Sequence, residues 1–84
     1  MNADEFESCL KELRPRLHRY CARMTGSAIN GEDVLQDTFV KALHARARGV
    51  EVDNIEGWLF RIAHNASLDF VRNKSRNTVV QIGR

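Results

Sequence analysis

Apolar residues return every three or four positions along most of this chain, a spacing that commits it to helices. Phe6, Leu10, Leu13, Leu17, Tyr20 and Met24 advance by alternating steps of four and three. They predict one helix from about Asp4 to Met24, stopped by Gly26. Pro15 lies inside it, removes one backbone bond, and is expected to bend the helix or split it in two. A second stripe, Leu35, Thr38, Phe39 and Ala42, predicts a helix that starts after an Asn30 cap, carries Glu32 and Asp33 in its first turn, and ends at Gly49. A third, Ile55, Trp58, Leu59, Ile62, Ala66 and Phe70, predicts a helix from Asp53 or Asn54 to about Lys74. Asp53 and Glu56 there resemble a capping box. Strand-like alternation is confined to Thr78–Ile82, which reads as the start of a linker. The connections Thr25–Ile29 and Gly49–Val52 are short, so successive helices pack antiparallel or at a steep angle. The expected architecture is all-α, a compact three- to four-helix bundle.

Eighty-four residues make one domain. A chain this size buries only about 60–65% of its unfolded surface, so its core is marginal and a partner matters. No apolar run exceeds the three residues Trp58-Leu59-Phe60. A membrane helix needs about 20 and a signal peptide about 7–15, so the expected location is cytoplasmic, without membrane insertion. Cys9 and Cys21 on one helix stand about 18 Å apart along its axis, too far to bridge. With His18 they match no zinc spacing, and they read as buried thiols. No metal, cofactor or catalytic set is expected, and the chain does not read as an enzyme. Asp69, the one acid after Glu56, reads as a partner for a neighbouring arginine or amide.

Two faces remain once the apolar stripes are subtracted. On the second helix Asp33, Gln36, Asp37, Val40 and His44 line up away from Leu35 and Phe39. On the third, Arg61, His64, Asn65, Leu68 and Arg72 share a side, with Lys74 and Arg76 beyond. Each face is either solvated or a binding surface. Arginine and asparagine suit phosphates and base edges respectively. The net charge is only +2, which alone does not indicate a nucleic-acid binder. Its distribution is uneven. Residues 25–56 hold three basic and six acidic groups, a net of −3. Residues 57–84 hold five and one, a net of +4. Patches of opposite sign point to two different partners.

The stretch Gly31-Glu32-Asp33-Val34-Leu35-Gln36-Asp37-Thr38-Phe39-Val40-Lys41-Ala42-Leu43 resembles region 2.2 of bacterial RNA polymerase sigma factors. Gly57-Trp58-Leu59-Phe60-Arg61-Ile62-Ala63-His64-Asn65-Ala66-Ser67-Leu68-Asp69-Phe70-Val71-Arg72 resembles regions 2.3 and 2.4. Leu13-Arg14-Pro15-Arg16-Leu17 with Tyr20 is similar to region 2.1, and the style is that of the extracytoplasmic-function (ECF) group. The resemblance covers about residues 6–76. It implies that residues 1–76 form a sigma region 2 domain and that 77–84 begin an interdomain linker or disordered tail. It implies that Asp33, Gln36, Asp37 and Val40 dock on the coiled coil of the polymerase β′ subunit. Trp58, Arg61, His64, Asn65 and Arg72 would face the non-template strand of the −10 promoter element, with Lys74 and Arg76 adding positive charge. The loop Arg48–Asn54 would capture a flipped base, Asn54 either reading its edge or simply capping the third helix. An anti-sigma factor is a further partner of this group.

The chain departs from the pattern of housekeeping members, which melt DNA with several aromatics in region 2.3. Here only Trp58 stands there, beside Gly57, and it lies near the apolar stripe, where a core role competes with base stacking. Region 4, the helix-turn-helix for the −35 element, is absent from these 84 residues, so the expectation is one half of a two-domain factor. A second reading is a sigma-like mimic that binds an anti-sigma factor and not DNA, although such a mimic has no need of Arg61, Asn65 and Arg72. A generic helical adaptor is a third.

Overall fold

The computed structural model describes the backbone of residues 1–82 and the side chains of residues 1–73. Three helices follow one another: α1 (Ala3–Thr25), α2 (Ala28–Ala47) and α3 (Ile55–Ile82). Each packs against the other two. The core is small and mostly aliphatic. Leu17, Cys21, Leu35, Ala42, Leu59 and Ala63 are completely buried where the helices meet. Phe6, Leu10 and Leu13 extend that core along α1, and Tyr20, Phe39, Trp58, Phe60 and Phe70 close its margins.

α1 opens on a capping box, Asn2 Oδ1 accepting from the Glu5 N–H at 2.8 Å while the Glu5 carboxylate faces the Asn2 N–H. It runs through Pro15 as one helix rather than splitting. Pro15 and Lys11 are both exposed, so the carbonyl that Pro15 leaves unpaired faces water. Leu10, Leu13 and Leu17 anchor the helix on both sides of the proline. Gly26 ends α1 in the left-handed region at φ 80°, its N–H on the Ala22 carbonyl.

α2 begins three residues earlier than the Asn30 cap expected from sequence. Ser27 is the cap, its hydroxyl accepting from the Asn30 N–H at 3.2 Å. The connector therefore shrinks to Gly26–Ser27, and Gly31 falls inside the helix. A Cβ built on Gly31 would stand 2.6 Å from the Ala22 backbone nitrogen and 2.7 Å from its Cα. Only glycine lets α1 and α2 approach this closely. α2 stops as expected, with Gly49 at φ 88° and the Val50 N–H reaching back to the Ala45 carbonyl at 3.1 Å.

α3 is capped by Asn54, whose Oδ1 accepts from the Gly57 N–H at 3.1 Å. Asp53 and Glu56 do not form the expected capping box, since Glu56 pairs instead with Arg16 of α1. α3 also continues past Lys74 to Ile82, including the stretch that looked strand-like. No glycine or proline interrupts the chain between Gly57 and Gly83, so nothing local stops the helix. The last expected linker residues, 83–84, lie outside the described residues.

Ser67 is fully buried on α3, and its Oγ has no hydrogen-bond partner among the described residues. It lies beside the Cys21 thiol, which burial pushes above its ordinary pKa, without making a hydrogen bond of good geometry to it. An unpaired buried hydroxyl costs about 1–3 kcal/mol. Ser67→Ala is therefore expected to leave the thermal midpoint unchanged or raise it. A fall of several degrees in a circular-dichroism melt would show that the hydroxyl is paired.

Candidate functional site

Helix registry sorts the outward residues of α2 and α3 into two surfaces. On α2, Gly31, Val34, Leu35, Thr38, Ala42 and Ala45 turn inward. Asp33, Gln36, Asp37, Val40 and His44 are all exposed, as the spacing predicts. Val40 is 48% exposed and Leu43 47%, and three residues apart on one helix they form a small apolar patch. Val40 sits one turn from Gln36, Asp37 and His44, so the surface is an apolar centre with a polar rim in which Asp33 and Asp37 are the acids. Asp37 pairs with Lys41 at 3.0 Å within its own helix, an exposed contact of little strength. Gln36 donates to Glu32 at 3.3 Å. Hydrogen bonds from Gln36 and Arg14 hold the Glu32 carboxyl below the usual carboxylate range. The Arg14–Glu32 pair ties α1 to the root of α2. Among the described residues Asp33 has no ion-pair partner.

On α3, Leu59, Ala63, Ala66 and Ser67 face the core, and Arg61, Asn65 and Arg72 are exposed on the other side. Arg72 lies 3.8 Å from Asp69, one turn back, which agrees with the orienting role expected for that acid. Among the described residues neither Arg61 nor Asn65 has an ion-pair or side-chain hydrogen-bond partner. Their donors are turned to solvent. The side chains of Lys74 and Arg76 lie outside the described residues.

Three expected site residues sit differently from this open face. Trp58 is half-buried with its ring 6.3 Å from that of Phe6, which favours the core side of its two readings. Asn54 spends its carbonyl oxygen on the α3 cap and keeps only the amide N–H donors for anything else. His64 is exposed, but its Nδ1 meets the Tyr20 hydroxyl at 2.7 Å. Tyr20 belongs by spacing to the apolar stripe of α1. Its ring does lie against the core, while its hydroxyl emerges on the α3 surface.

The loop before α3 borders a cavity of about 460 Å³, walled by Gly49–Asp53, Phe6, Arg46, Ile55 and Trp58. The Arg46 guanidinium stacks over the Phe6 ring at 4.9 Å. The cavity thus offers aromatic edges, a cation and loop backbone in one place. Sequence reasoning found the loop and not the cavity, because Phe6 and Arg46 reach it from other helices.

One ion pair joins α1 to the start of α3. Arg16 donates to Glu56 through both nitrogens, at 3.2 and 2.7 Å. The contact raises the Arg16 pKa and holds the Glu56 carboxyl below its usual range, through the hydrogen bond first and the charge second. Forty residues separate the partners, so no local pattern signals the pair.

Among the described residues no helix is long and apolar enough to cross a membrane. The family description sigma-70 region 2 matches residues 9–77. The chain is 30% identical over 71 residues to the ECF RNA polymerase sigma factor SigE of Mycolicibacterium smegmatis, covering 84% of this chain and 27% of that protein. It is 34% identical over 71 residues to the RNA polymerase sigma factor CarQ of Myxococcus xanthus, covering 84% and 41%. It is 37% identical over 65 residues to the ECF RNA polymerase sigma factor SigL of Mycobacterium tuberculosis, covering 76% and 37%. The chain thus spans less than half the length of these relatives. No solved structure matches it.

Proposed function

The chain belongs to the sigma-70 region 2 family, a family of binding domains and not of enzymes, and from that premise we propose that it joins RNA polymerase to a promoter. In this reading the α2 surface docks on the β′ coiled coil. An apolar centre at Val40 and Leu43 edged by Asp33 and Asp37 suits a helical partner that offers apolar and basic residues. The α3 surface takes the −10 element as single strand, Arg61 and Arg72 meeting phosphates and Asn65 a base edge. The cavity beside the Gly49–Asp53 loop receives a base turned out of the stack, with Trp58 as its wall. Melting then leans on base capture and phosphate contacts rather than on a row of exposed aromatics. The cytoplasm is where such a machine works.

The observation that carries this proposal is the separation of charge by surface. The exposed side of α2 sets Asp33 and Asp37 around an apolar centre, with Lys41 beside Asp37, and the exposed side of α3 turns the donors of Arg61, Asn65 and Arg72 to solvent. A mimic that binds only an anti-sigma factor has no use for the second surface. Charge reversal by Asp37→Lys is the direct test of docking. It is expected to abolish binding to a β′ coiled-coil fragment in a titration at moderate salt, because a desolvated charge facing a like charge costs several kcal/mol. Undiminished binding would remove α2 from the interface.

A further inference from the structure

Tyr20 of α1 reaches across to the α3 surface. Its ring packs edge-on against Phe60, centroids 5.5 Å apart and planes at 79°. Arg16 lies over the other side of the same neighbourhood, 5.6 Å from the Phe60 centroid, and is itself gripped by Glu56. The tyrosine is thus wedged, and its hydroxyl meets His64 Nδ1 at 2.7 Å. That separation is hydrogen-bonded in either direction, and the phenolic O–H is a better donor than a neutral imidazole N–H.

We infer that Tyr20 is a positioning residue for DNA binding: its hydroxyl donates to His64 Nδ1, fixing the imidazole as the Nε2–H tautomer with that N–H directed outward. The inference rests on the α3 surface being the DNA face. A neutral imidazole has one donor and one acceptor, and the partner of one nitrogen decides the role of the other. With Nδ1 occupied as acceptor, Nε2 carries the proton at the far edge of an exposed ring. His64 then presents a single fixed N–H to an acceptor oxygen of the strand, beside the Asn65 amide and the Arg61 guanidinium. A free histidine would present donor and acceptor interchangeably and lose rotamer freedom on binding.

Two readouts test it on the 84-residue chain. In long-range proton–nitrogen spectra at pH 7.5, His64 is expected to show an unprotonated Nδ1 and a protonated Nε2. Tyr20→Phe, which keeps the ring on Phe60, is expected to mix the tautomers. The second readout uses the chain bound to core polymerase and a single-stranded oligonucleotide selected from a random pool by that complex. Tyr20→Phe is expected to weaken binding about threefold to tenfold, the worth of one hydrogen bond. Adding His64→Ala to it should cost less than His64→Ala costs alone. A proton on Nδ1, or a spectrum indifferent to Tyr20→Phe, overturns the inference. So does unchanged binding by Tyr20→Phe where Arg61→Ala and Asn65→Ala still lose affinity. If those two also bind normally, the DNA-face reading fails first and takes the inference with it.

Discussion

Gly31→Ala is expected to destabilise the domain by about 2 kcal/mol or more, although alanine is the better helix former by about 1 kcal/mol. On an open helix face the exchange would stabilise. Here the new methyl would stand 2.6–3.0 Å from the Ala22 nitrogen, Cα and Cβ. Two of those three atoms are backbone, so no side-chain rotation relieves the clash and the helices must part. Their separation would also disturb Ser27, which caps α2 and whose N–H bonds the Ala22 carbonyl at 3.1 Å. A domain of this length has about 4–13 kcal/mol of stability in all, and each kcal/mol lost lowers the melting midpoint by about 4–8 °C. A fall of about 10 °C or more in a circular-dichroism melt is therefore expected. A rise would show that α1 and α2 do not approach this closely. Gly31→Val, with two further methyl groups, should leave little folded protein at 37 °C.

The second large effect concerns function. Arg61→Ala with Asn65→Ala is expected to reduce oligonucleotide binding by the polymerase-bound chain at least about thirtyfold. Each lost phosphate or base-edge contact costs about 1–3 kcal/mol, and 1.4 kcal/mol is a factor of ten. Both side chains are exposed and neither has an ion-pair or side-chain hydrogen-bond partner among the described residues, so stability should barely change. The arginine half of the loss should diminish as salt rises, since a phosphate contact releases counterions. Binding reduced equally for scrambled and selected oligonucleotides would assign Asn65 to the backbone rather than to a base.

Much of this was legible in the chain itself. The apolar stripes placed all three helices, and subtracting them exposed the two surfaces, because on a helix what is not inward must be outward. The boundaries were less legible. Asn30 and Ser27 are both good caps, and the choice between them depends on Gly31 meeting Ala22, a contact between helices that no local pattern reports. Asp53 and Glu56 had capping-box spacing, but Arg16 of another helix claims Glu56. Tyr20 matched the apolar period and was read as core. Its hydroxyl crosses to His64, 44 residues on. Pro15 looked like a break because the sequence does not show that the carbonyl it orphans faces water.

The net charge of +2 conceals an uneven arrangement, with Asp33 and Asp37 exposed on α2 and Arg61 and Arg72 exposed on α3. In the proposed function these are two independent interfaces. The measurement that tests it is a paired titration: wild type, Asp37→Lys, and the Arg61→Ala/Asn65→Ala double variant, each against labelled core polymerase and then, as the complex, against the selected single strand. Asp37→Lys is expected to lose the polymerase, while the double variant keeps the polymerase at wild-type affinity and loses the strand. If the double variant loses the polymerase as well, or if both variants assemble and bind DNA like wild type, the assignment of one surface to each partner is contradicted.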